Sequence, residues 1–135
     1  YNELKMEDRN GRGTIIFLLG RNLQTAADIS FFKDVLSESP CLSLSDCQKF
    51  NASEKESHLE SANDVTKNYP QVVALNRIEA AMSEQLNDSS SQLNSDSQYR
   101  QSIIDALQAA SNSQVSIIKS KATDLLNQVY KKYGH

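Results

Sequence analysis

Tryptophan is absent, and aromatic residues make up only 7% of the 135 positions. With a hydrophobic fraction of 39%, any core must be lean, yet this is not the composition of a disordered chain. Long apolar runs are missing as well. The most apolar stretch, Ile15 to Leu19, is closed by Gly20 and Arg21. It falls far short of the ~20 residues that span a bilayer, so no membrane span is expected. A basic excess is missing too. Net charge is −3, and nucleic-acid binders show a basic face, so no nucleic-acid partner is expected. The mildly basic end, with Lys119, Lys121, Lys131 and Lys132 against Asp124, reads as a solvated helix face whose charges complement the helix dipole.

Cysteine and histidine are scarce, two of each. His58 and His135 with Cys41 and Cys47 do not make a four-ligand zinc pattern, and the five residues between the cysteines are not C-x-x-C spacing. No metal and no cofactor is expected. The spacing leaves two readings open for Cys41 and Cys47. One is a small-loop disulfide, possible if the chain folds back on itself. The other is a pair of reduced thiols, one of them buried. A disulfide implies an oxidising compartment, so the expected location is periplasmic or extracellular rather than cytoplasmic. Because the chain starts at Tyr1 rather than Met, a processed form or a piece of a longer protein is expected.

What is present is helical periodicity. The length suits a single domain over residues 1–135. Ile15, Ile16, Leu18, Leu19 and Leu23 fall on one helix face, and no second strand-like run exists for that segment to pair with. It therefore reads as a short buried helix ending near Gly20 to Asn22. Thr25 and Asp28 have the spacing of a capping box, and Ile29, Phe32 and Leu36 follow at helical intervals. The second helix is expected over Ala26 to Glu38, stopped by Pro40 and paired with the first as an antiparallel hairpin. Residues 41–69 read as a polar loop or insertion with a marginal helix, since Leu59, Ala62 and Val65 are spaced by three and Ser53 with Glu56 resembles a further capping box. Pro70 suits a first helical turn. Val72, Leu75, Ile78, Met82 and Leu86 then predict a third helix over Pro70 to Leu86. Residues 87–97, rich in Ser and Asn, read as a loop. A fourth helix is expected from Gln98 to Ala110 and a fifth from Gln114 to Lys132, where Val115, Ile118, Ala122, Leu125 and Val129 face a globular core.

The segment 12–40 resembles a HEAT/armadillo-like helical repeat. Arg12, Leu19-Gly20, Asp28, and Phe32 with Leu36 stand where such repeats carry an early Arg, a Leu-Gly near the first helix end, an Asp, and an apolar second helix. No second copy follows at a spacing of ~40 residues, and a polar insertion intervenes. The resemblance implies helix-on-helix packing and a scaffold that binds other proteins.

Candidate chemistry is sparse. Cys41 or Cys47 with His58 would make a nucleophile and a base without a recognised spacing. Asn10-Gly-Arg-Gly13 lacks the phosphate-loop pattern and reads as a plain turn. Glu54, Glu56 and Glu60 read as a solvated face. Asn51-Ala-Ser53 and Asn87-Asp-Ser89 fit the glycosylation sequon, which has meaning only in a secreted eukaryotic protein. Phe17, Phe31 and Phe32 are expected at the centre of the N-terminal core. Tyr69, Tyr130 and Tyr133 lie at helix ends, where a ring can be buried with its hydroxyl wet, and are the candidate partner-facing aromatics. The expectation is an all-α chain of about five helices, an irregular α-solenoid or a small orthogonal bundle. Its expected role is a non-catalytic protein–protein interaction or scaffold module. The alternative is an enzymatic or small-ligand-binding domain with its site near residues 41–68.

Overall fold

The computed structural model describes residues 1–51 and 60–135, with the side chains of 60–63 not described. Among the described residues there are seven helices and no strand: α1 (Arg9–Leu19), α2 (Ala26–Leu36), α3 (Glu60–Lys67), α4 (Tyr69–Gln85), α5 (Gln92–Ser95), α6 (Ser97–Ser111) and α7 (Ser116–Tyr133). A 3-10 turn, Gly20–Asn22, continues α1. None of these helices is long and apolar enough to cross a membrane.

Local chemistry explains the helix starts. Asp8 caps α1, its carboxylate accepting from the Gly11 N–H at 3.1 Å. That cap moves the helix start well upstream of Ile15, and the Asn10-Gly-Arg-Gly13 stretch is helix rather than the expected turn. The expected capping box is formed at α2. Thr25 Oγ1 accepts from the Asp28 N–H at 3.1 Å, and Asp28 Oδ2 accepts from the Thr25 N–H at 2.9 Å. α2 ends at Leu36, two residues short of the expected Glu38. Pro70 sits in the first turn of α4, where its missing N–H costs nothing. Asp96 caps α6 through the N–H groups of Gln98 and Tyr99.

Two helices were absent from the five expected as firm elements. α3 falls where the marginal helix was placed. α5 interrupts the expected 87–97 loop because Leu93, its only large apolar residue, is fully buried. The expected Ser53–Glu56 cap lies outside the described residues.

The packing is that of a small helical bundle, with helices distant in sequence touching. α1 lies mainly against α4, α2 mainly against α6, and α6 pairs with α7. The expected α1–α2 hairpin is therefore not the organising unit. The 3-10 turn and the Leu23–Thr25 link carry the chain past α4 instead. The core runs through Ile16, Ile29, Phe32, Leu75, Ile78, Met82, Ile103, Leu107, Ile118, Leu125 and Val129. Tyr99 is buried in it and donates its hydroxyl to Leu23 O at 2.7 Å, tying α6 to the α1–α2 link.

α1 meets α4 through two glycines. A Cβ on Gly13 would stand 2.4 Å from the Tyr69 ring, and one on Gly20 would stand 2.5 Å from Arg77 Cγ. A glycine inside a helix costs about 1 kcal/mol relative to alanine, and here it permits the close approach of two helices.

Candidate functional site

Five consecutive apolar residues cannot all face one side of a helix that turns 100° per residue. Ile16 shares the inward face of α1 with Gly13 and Gly20 and is buried. Phe17, Leu18 and Leu19 step around the rest of the cylinder. They are 47%, 54% and 50% exposed, so Leu18 and Leu19 do not join the expected buried face. The expectation that Phe17 joins Phe31 and Phe32 in the core is corrected: Phe32 is buried, Phe31 is half-buried, and Phe17 faces outward. The signal was available in the sequence, because an apolar run this dense on a helix must leave part of itself outside.

Beside this patch lies a shallow groove lined by Leu19, Leu23, Ala27, Asp28, Phe31 and Phe32, with a volume of about 270 Å³. Arg77 borders the other flank. Its Nε donates to Gly20 O at 3.1 Å, and its guanidinium lies 5.1 Å from the Phe17 ring centroid. The outward surface at the end of α1 is thus apolar, with Arg77 at one flank.

The cysteine segment forms a second feature. Cys41 and Cys47 are both buried, their sulfurs at bonding distance, 2.18 Å. Of the two readings left open, the disulfide is the one found. Arg9 holds the loop against α1: Nη2 donates to Ser43 O at 2.9 Å and reaches Cys41 Sγ at 3.0 Å, while Nε donates to Lys67 O at 3.2 Å. Glu7 Oε1 accepts from the Cys47 N–H at 2.9 Å. That bond, more than any other contact, holds the Glu7 carboxyl below its ordinary value. Buried Asn68 closes the far side, accepting from the Cys41 N–H and donating to Asp64 O.

Above this loop sits an ion pair. Arg12, almost fully buried, donates from Nη2 to both oxygens of Glu38 at 2.9 and 3.1 Å. The Tyr1 hydroxyl donates to Glu38 Oε1 at 2.8 Å, and its ring lies 4.2 Å from the Arg12 guanidinium. Burial, reinforced by the Glu38 carboxylate, holds the Tyr1 phenol far above its ordinary range, so it stays a donor.

The three tyrosines do not form one patch. Tyr69 is partly exposed at the start of α4, its ring over Gly13. Tyr130 and Tyr133 share the end of α7 and are half-buried. The Tyr130 hydroxyl accepts from Gln108 Nε2 at 2.9 Å, and its ring stacks on His135. The Tyr133 hydroxyl donates to Asn94 Oδ1 at 2.6 Å, under the Arg100 guanidinium. Asn94 also bonds to Gln85 O at the far end of α4. Tyr69 is therefore separated from Tyr133 by the length of that 17-residue helix, roughly 25 Å at the helical rise per residue.

With both sulfurs in the disulfide, neither cysteine can act as the nucleophile considered for the 41–68 segment, and His58 lies outside the described residues. Among the described residues, no group of three or more His, Cys, Asp or Glu side chains is placed to share a metal ion. No protein-family model, no curated protein and no solved structure matches the chain.

Proposed function

We propose that this chain is a non-catalytic helical module that binds another protein through the outward face of α1 and the groove beside α2. One observation carries the reading: Phe17, Leu18 and Leu19, consecutive and large, are each about half exposed beside an apolar groove. Contiguous exposed apolar surface marks interaction sites. The partner segment that fits is apolar with an acidic flank, because Arg77 edges the patch. The resemblance of residues 12–40 to a HEAT-type repeat supports a binding role by analogy. The buried disulfide supports a place for the module outside the reducing cytoplasm.

The test is site-directed photocrosslinking in the secretions or tissue that hold the protein. A photoreactive residue at position 18 should give one dominant adduct that a Leu19→Asp change abolishes. The same probe at position 101, exposed on α6, should give none. Adducts at 101 in place of 18 would move the site away from α1.

A further inference from the structure

We infer that Asn87 is a site of N-linked glycosylation. Asn87-Asp88-Ser89 has the acceptor sequence, with an asparagine, a non-proline residue and a hydroxyl two positions on. The triplet occupies the surface turn between α4 and α5, and all three residues are exposed.

The hydrogen bonds of this turn are distributed in a telling way. Gln85 bonds to Tyr99 and to the Leu93 N–H. Asp88 accepts from the N–H and hydroxyl of Ser90, Ser91 donates to Gln85 O, and Asn94 donates to the backbone oxygens of Gln85 and Asp88. Asn87 and Ser89 take no part in this network, nor in any other hydrogen bond among the described residues. The two side chains the transfer needs are the ones the fold leaves unused. A glycan on Asn87 displaces no contact and projects into solvent.

The disulfide supplies the second, independent argument. A closed Cys41–Cys47 pair implies passage through an oxidising compartment, and in a eukaryotic cell that is the lumen in which such transfer occurs. In the transfer, the Asn87 amide nitrogen forms a bond to the anomeric carbon of a lipid-pyrophosphate-linked oligosaccharide. The bond from that carbon to the pyrophosphate oxygen breaks, the lipid pyrophosphate leaves, and the nitrogen loses one proton to a base. No oxidant or reductant is needed.

The experiment is intact-mass and glycopeptide analysis of the chain secreted from eukaryotic cells, with the disulfide verified on the same sample. The expected result is a hexose- and N-acetylhexosamine-containing mass on the peptide carrying Asn87. Glycan-releasing amidase in heavy-oxygen water should convert that residue to labelled Asp. Ser89→Ala, which leaves Asn87 in place, should abolish the mass, and Ser89→Thr should keep it. Asn87→Gln should remove it without changing secretion of the folded chain. A secreted, disulfide-closed chain with an unmodified Asn87 overturns the inference. So does modification confined to Asn51, the other acceptor sequence. The outcome is independent of the α1 docking surface.

Discussion

Arg12 is the residue on which the N-terminal half turns. Its charge is buried, and its Nε has no hydrogen-bond partner among the described residues, so Glu38 alone neutralises it. Removing one member of a buried pair leaves an uncompensated charge, which costs more than the pair contributes. Glu38→Ala should therefore lower stability by about 3 kcal/mol, the low end for such pairs, since Glu38 keeps some contact with solvent. The double change Arg12→Met with Glu38→Leu should cost less than Glu38→Ala alone. Urea denaturation of both variants and the parent chain decides it; a double mutant less stable than Glu38→Ala would show that the pair itself is strongly stabilising.

Glu7 carries a pH dependence tied to the disulfide loop. Its folded carboxyl lies below the ordinary value of 4.5, first because it accepts the Cys47 N–H. The contribution is thus complete above pH 4.5 and is lost as pH falls through the lowered folded value. Exchange of the Cys47 amide should accelerate, relative to the intrinsic rate, across that acid window. Glu7→Gln keeps an acceptor without a titration, and it should flatten the profile. An unchanged profile in Glu7→Gln would assign the acid response to another group.

Among the elements, α1 is both the best and the worst read. That the segment is helical follows from its spacing and from the lack of any strand partner. Its start did not follow, because Asp8 caps through Gly11, and two glycines near a helix start read more naturally as a turn. Nor did the role of Gly13, since the Tyr69 ring that demands it lies 56 positions away in sequence. Gly13→Ala should improve local helix propensity by about 1 kcal/mol and still destabilise the protein, because overpacking commonly costs 1–3 kcal/mol. Tyr69→Ala should relieve most of that loss in the double mutant. Additive costs in a double-mutant cycle would mean that ring and glycine do not press on each other. The amphipathic helices α2, α4, α6 and α7 were legible to within about two residues at each end, because their apolar stripes are long and flanking breakers mark where they stop. α5 was not, since one buried leucine among the ten polar residues of 87–97 gives no period. The apolar patch on α1 was missed for a related reason: periodicity identifies an inward face but is silent about surplus apolar residues on the others.

At the scale of the molecule, the N-terminal end is closed by ties between segments far apart in sequence. Tyr1 and Arg12 reach Glu38, Arg9 reaches Ser43 and Lys67, Glu7 reaches Cys47, and Asn68 reaches Cys41. The disulfide does not join these segments; it closes a short loop, whose shape then presents Ser43 O and the Cys41 and Cys47 amides to their partners. For a loop this small, the chain-entropy model gives about 2 kcal/mol of stabilisation. Cys41→Ser with Cys47→Ser should therefore lower the unfolding free energy by about 2 kcal/mol. Arg9→Met should add little in that background, because its contacts depend on the loop the disulfide shapes. Increased amide exchange should appear first at Cys41, Leu42 and Cys47, whose N–H groups bond across the loop, to Asn68, or to Glu7. The α6–α7 pair, buried against α2 and α4, should keep its protection until global unfolding. Early loss of protection in α6 and α7 on reduction would mean instead that the loop and the bundle unfold as one unit, with the disulfide constraining the whole chain.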